Sequence, residues 1–227
     1  MTNRTTITRQ LASSEPQRRR NFVVIRLPHL VYTTVTSTPS VVKHWLFRIC
    51  RHHVYRIHKG RLVVGLGVQW TPGHRKSPAT LQLCVGHQCL VFQLLHAPHA
   101  PLKLRRFLSN PNITFVGVSN KNDGALLRCS KHELCVSSTL VDLVDVASEE
   151  RGYSKKISME KLAELVVGME GVKKEEWVGR SDWDEFWLSE HQVEYACLDA
   201  FVSFLIGKDL KAWNWMKVDE DCSTSIK

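Results

Sequence analysis

Residues 62–70, Leu62-Val63-Val64-Gly65-Leu66-Gly67-Val68-Gln69-Trp70, carry no charged side chain and are dominated by Val and Leu. A run this apolar and this short predicts a buried strand, which needs other strands beside it. Two follow directly, Thr80–Val85 and residues 89–94, separated by Gly86-His87, a pair suited to a tight hairpin turn. Residues 31–35, β-branched and aromatic, predict a further strand upstream. An early run of strands followed by alternating helices and a strand predicts an α/β fold with a mixed sheet.

The helices show in the hydrophobic spacing. Val42, Trp45, Leu46 and Ile49 recur at helical intervals behind Pro39, a residue suited to a first helical turn. Residues 101–108 predict a short helix, 114–118 a buried strand, Asn122-Asp123 a helix start, and 135–138 a short strand. Residues 158–167 are amphipathic and closed by Gly168, and 168–181 read as a charged loop. A last long helix begins at Ser189, where Ser189 and Gln192 have the spacing of a capping box. Its predicted buried stripe is Val193, Ala196, Cys197, Ala200, Phe201 and Phe204. The organisation expected is a basic, flexible arm over 1–21 ending in Arg18-Arg19-Arg20, one domain over 22–213, and a polar acidic tail over 214–227.

Charge is unevenly distributed. Residues 1–122 hold 18 Lys+Arg and a single acid, Glu15, whereas residues 123–227 hold 13 Lys+Arg against 21 Asp+Glu. If folding keeps the basic half on its own face, the resulting field attracts a phosphate polymer. No apolar run approaches the roughly 20 residues of a spanning helix, so no membrane partner is expected. Seven cysteines show neither a CxxC pair nor zinc spacing, the usage of a reduced intracellular protein in nucleus or cytoplasm. The Arg- and Ser-rich start also keeps an organelle open. His52-His53, His58, His96 and His99 lack the acidic neighbours of a metal site and read as solvated or core residues.

Tyr195 and Asp199 lie four apart on the last helix and so project from one face. The segment from Ser181 to Ala200, with Trp183, Trp187, Tyr195 and Asp199, resembles the third exonuclease motif of DnaQ-like (DEDDy) 3′–5′ exonucleases. The likeness is greatest to the Werner-type branch and its plant members. Phe115-Val116-Gly117-Val118, followed by Asp123, is similar to the second motif, and residues 63–70 with 79–85 to the first motif and its hairpin partner. The resemblance runs from about residue 22 to 213. It implies a ribonuclease H-like fold, a mixed five-stranded sheet flanked by helices. It also implies four carboxylates around two Mg or Mn ions, with a tyrosine that helps orient the attacking water. Asp123, Tyr195 and Asp199 match that pattern, but the Asp-x-Glu of the first motif falls on Gly67-Val68-Gln69.

Mg²⁺ takes oxygen ligands and is usually held through one or two carboxylates. Gly67 offers no ligand, and Gln69 offers an amide oxygen without charge. Asp123 and Asp199 remain for one weakly held ion at most, or for none. Loss of a metal at the leaving oxygen costs at least about 4 kcal/mol, roughly a thousandfold in rate. The expectation is a family member that binds nucleic acid, as a single strand or a 3′ end, and is catalytically degenerate. Arg61, Arg75, Lys76 and Lys121 lie near the motifs and are candidate phosphate contacts. Two alternatives stay open: an active exonuclease with substitute ligands, and a scaffold whose Trp213 and Trp215 serve a contact such as that of a homo-oligomer. Asp142 and Asp145 are set aside as displaced ligands, because the sheet would have to move with them.

Overall fold

The computed structural model describes residues 6–10, 19–26, 29–73, 77–136 and 140–217. Eight strands form one sheet: β1 (Thr6–Gln10), β2 (Arg20–Arg26), β3 (His29–Thr36), β4 (Leu62–Gln69), β5 (Thr80–Val85), β6 (Gln88–Phe92), β7 (Ile113–Gly117) and β8 (Leu140–Asp142). They lie in the order β1-β2-β3-β6-β5-β4-β7-β8. β4, β7 and β8 run parallel, while β5 is antiparallel to both β4 and β6. β3 joins β6 in parallel, and β1 and β2 extend it as antiparallel ribbons. All eight residues of β4 are buried, as its composition requires.

The inner block β6-β5-β4-β7-β8 is the mixed five-stranded sheet expected of a ribonuclease H-like fold. The sheet is wider than expected by three strands, β1 to β3, on one edge. Thr6–Gln10 is a strand inside the stretch that composition marks as an arm. An edge ribbon is ordered by ladder hydrogen bonds to its neighbour, so a polar, Thr- and Arg-rich composition conceals it.

The helices are α1 (Pro39–His52), α2 (Val54–His58), α3 (Leu102–Leu108), α4 (Asp123–Arg128), α5 (Leu143–Arg151), α6 (Met159–Val167), α7 (Glu176–Gly179) and α8 (Glu190–Asp209), followed by a 3₁₀ turn, Ala212–Lys217. α8 crosses β3 to β7 on one face of the sheet. α1 packs on β6 and α3 from the other. The alternation of β3 separates the two faces. Thr33 donates to Cys197 Sγ of α8 at 3.1 Å, so Thr34 points toward α1. Val42, Trp45, Leu46 and Ile49 are the buried stripe of α1, as their spacing predicts.

Two loops differ from expectation. No element forms at 135–136, residues 137–139 lie outside the described residues, and the strand is instead Leu140–Asp142. α5 follows at once because Asp142 caps it, accepting from Val144 N, and Gly152 closes it in the left-handed region at φ 69°. The charged loop 168–181 contains one helical turn, α7. Of the expected tail 214–227, residues 218–227 lie outside the described residues. No described helix is long and apolar enough to cross a membrane.

Candidate functional site at Asp199

Two glycines of β4 set the position of α8. A Cβ on Gly65 would collide with the backbone oxygen of Ala200, so the helix rests on the strand only because that side chain is absent. Two residues on, the same face of β4 presents Gly67 to Asp199: a Cβ there would meet Asp199 Oδ2 at 2.6 Å and Gln82 Oε1 at 2.9 Å. Gln69 follows on that face, and its Nε2 donates to Asp199 Oδ2 at 3.1 Å. The three consecutive inward positions of the strand therefore meet the helix one after another.

The start of α8 is fixed by the predicted capping box. Gln192 N donates to Ser189 Oγ, and Ser189 N donates back to Gln192 Oε1 at 2.9 Å. The buried Gln192 also donates from Nε2 to Ser181 Oγ and to the Asp182 carbonyl, tying the preceding loop to the helix. Thr71, just past β4, accepts from the backbone N–H groups of Trp183 and Asp184. Trp183 is buried against Tyr195, with ring centroids 5.9 Å apart. Gly179 leaves room for the Tyr195 hydroxyl, which a Cβ would approach to 2.7 Å.

The loop so anchored delivers a residue that sequence reasoning missed. Lys174 Nζ donates to Asp199 Oδ1 at 2.6 Å, and both side chains are only about one-seventh exposed, at 16% and 14%. The ammonium also stands 4.4 Å from the centroid of the Tyr195 ring. Both oxygens of Asp199 are thus taken by donors of the chain itself, one charged and one neutral. The only signal in the sequence is the pair Lys173-Lys174 in the loop before the third motif, which composition cannot distinguish from a solvated charge run.

Electrostatics around the pair are consistent. Burial acts to lower the pKa of Lys174, but Asp199 and Tyr195 outweigh it and hold the ammonium above its usual value. Asp123, the first residue of α4, is pushed up to about 8, by burial first and then by the charges of Asp199 and Asp142, with Lys174 opposing. Its neutral form predominates at pH 7.

The residues present do not fit the two-ion centre that the resemblance implies. β4 supplies no carboxylate, Asp199 is neutralised by Lys174, and no group of three His, Cys, Asp or Glu among the described residues is placed to hold a metal. Asp142 and Asp145 have structural roles: Asp142 accepts from Ser119 N and Val144 N, and Asp145 pairs with Lys121 at 3.2 Å. Among the candidate phosphate contacts, exposed Lys121 lies two residues before Asp123. Arg61 stands at the opposite end of β4, about 20 Å from Gly67 at the rise of a strand, and is not brought to the cluster. Arg75 and Lys76 lie outside the described residues.

Comparison with known proteins shows similarity to 3′–5′ exonucleases. A family model described as 3′–5′ exonuclease matches residues 68–212. A 3′–5′ exonuclease of Arabidopsis thaliana is 30% identical over 201 residues, covering 86% of this chain and 68% of that protein. The bifunctional 3′–5′ exonuclease/ATP-dependent helicase WRN of Mus musculus is 32% identical over 154 residues, covering 65% of this chain. This chain spans 11% of the length of that mouse protein, and 45% of a Drosophila melanogaster 3′–5′ exonuclease. Among solved structures, the Aedes aegypti Nibbler EXO domain superposes with a TM-score of 0.62 at 16% identity, covering 82% of this chain and 91% of that one. Escherichia coli RNase D gives 0.57 at 20% identity, covering 73% of this chain and 44% of that one. At these identities the structures establish the fold.

Proposed function

The chain belongs to the DnaQ-like 3′–5′ exonuclease family, and we propose that it binds single-stranded nucleic acid or a 3′ end without cleaving it efficiently. One observation carries this reading: the Lys174 ammonium and the Gln69 amide occupy both oxygens of Asp199. Facing them, β4 presents Gly67, which has no side chain to ligate an ion. A buried ammonium satisfies the carboxylate permanently and gives it no reason to recruit Mg²⁺ or Mn²⁺. It also cancels the negative charge that would repel a phosphodiester when no metal is bound. Tyr195 remains at the rim, half-buried, where it can contact a strand end.

A nuclease assay in Mg²⁺ and Mn²⁺ tests the reading with three proteins: the native chain, Gly67→Asp/Gln69→Glu, and the same pair combined with Lys174→Ala. The native chain is expected to be silent, and the triple variant to gain 3′–5′ activity. Robust native activity that Asp199→Ala abolishes overturns the proposal in favour of substitute ligands. Oligonucleotide binding in EDTA at low ionic strength supplies the second readout. Its absence removes nucleic acid from the reading and leaves an assembly role.

A further inference from the structure

The face of the sheet opposite Asp199 holds a cavity of about 180 Å³ along α1. Its walls include Ser40, His44, Trp45 and Arg48 of that helix, Thr34 of β3, and Arg19 just before β2. No carboxylate lines it among the described residues. Ser40 sits in the first turn of α1, a helix of 14 residues that begins without a side-chain cap and without an acid in that turn. Pro39 has no N–H and those of Val41 and Val42 donate to the Thr38 carbonyl, so it is the Ser40 N–H and the positive end of the helix dipole that face this end of the cavity.

A second observation points to a ligand. Trp45 is 6% exposed and lines the cavity, and its indole Nε1 is buried without a hydrogen-bond partner. A buried donor left unmade is costly, so structures seldom retain one unless something else satisfies it. The residues lining the cavity offer the Trp45 indole ring, the Ser40 hydroxyl, the His44 imidazole and the guanidinium groups of Arg19 and Arg48. Thr34 serves as wall, since its hydroxyl already donates to Asn21 Oδ1. A ligand matching this set offers several acceptor oxygens and negative charge, and fits in the space of a small tetrahedral oxyanion with its first ester atoms. Arginine geometry suits phosphate in particular, through paired N–H donors.

We propose that this cavity is a phosphate-binding site, separate from the Asp199 cluster and on the other face of the sheet. Its ligand is the phosphate group of a nucleotide or of a nucleic-acid backbone. The surroundings favour the arrival of such a group: α1, α2 and α3, which build this side of the molecule, contain no Asp or Glu and seven Lys or Arg between them.

The test follows the indole N–H of Trp45 by NMR, its resonance assigned by loss in Trp45→Phe. Inorganic phosphate, adenosine monophosphate and a single-stranded oligonucleotide are titrated separately, with chloride at matched ionic strength as the control. Phosphate is expected to move the Trp45 resonance, and Arg48→Gln to weaken the response about tenfold or more, the loss of one charge-assisted hydrogen bond. Asp199→Asn is expected to leave the response unchanged, which separates this site from the cleft. Tighter binding of the mononucleotide assigns a free nucleotide, and tighter binding of the oligonucleotide assigns a strand. The proposal fails if the resonance ignores all three probes, if chloride moves it equally, or if Arg48→Gln has no effect.

Discussion

Lys174 Nζ stands 2.6 Å from Asp199 Oδ1, with the ammonium also packed over the Tyr195 ring, so the carboxylate carries its own cation. Removing one member of a largely buried pair strands the other. Lys174→Met is expected to cost about 2–4 kcal/mol of stability. Lys174→Met/Asp199→Asn should cost less than the two single changes added together. Urea denaturation of the four proteins gives the coupling directly. Additive losses would mean that the pair is not an energetic unit.

Gly65 and Gly67 face the same helix, but their tolerance should differ sharply. A Cβ at Gly65 meets the backbone of Ala200, which cannot rotate away, whereas at Gly67 it meets the side-chain ends of Asp199 and Gln82. Gly65→Ala is expected to cost about 3 kcal/mol or more, and Gly67→Ala under about 1.5 kcal/mol. Thermal unfolding of both decides it. Equal losses would show that the helix does not rest on the strand at Gly65.

The pH dependence follows from Asp123. Its carboxyl titrates at about 8 in the folded chain against an ordinary 3.8, so folding favours the protonated form. That contribution is complete below about pH 4 and is lost as pH rises to about 8. Within that window stability should fall by up to about 1.4 kcal/mol per pH unit, the limit for one proton. Asp199, Asp142 and Lys174 are the charged groups acting on it. Asp123→Asn should flatten this part of the curve, measured as the difference between the two proteins in urea at pH 5 and pH 8. An unchanged slope would place the titration elsewhere.

The sequence and the site were legible to different depths. β4, β5, β7, α1 and α8 follow from apolar runs, helical spacing and the Ser189–Gln192 box, because each reports burial along a single element. The gap at Gly67-Val68-Gln69 was equally visible, since position within a motif needs no geometry. Lys174 was not. Its partner lies 25 residues away on another element, and the hydrogen bonds of Gln192 to Ser181 and Asp182, with those of Thr71 to Trp183 and Asp184, bring the loop across. β1 and β2 were hidden for a related reason: an edge ribbon draws its order from pairing, and pairing leaves little trace in composition.

Those loop contacts yield the last prediction. Ser189 and Gln192 share a capping box, but only Gln192 reaches beyond it. Ser189→Ala removes a cap and should cost about 1 kcal/mol. Gln192→Ala also strips Ser181 Oγ and the Asp182 carbonyl of a donor at a buried site, and is expected to cost about 2–3 kcal/mol. The difference should be local as well as global. Hydrogen exchange over residues 174–183 should accelerate in Gln192→Ala and stay near native in Ser189→Ala, because only the former releases the loop that holds Lys174 against Asp199. Similar exchange in the two variants would mean that the loop is held by Thr71 and the burial of Trp183 alone.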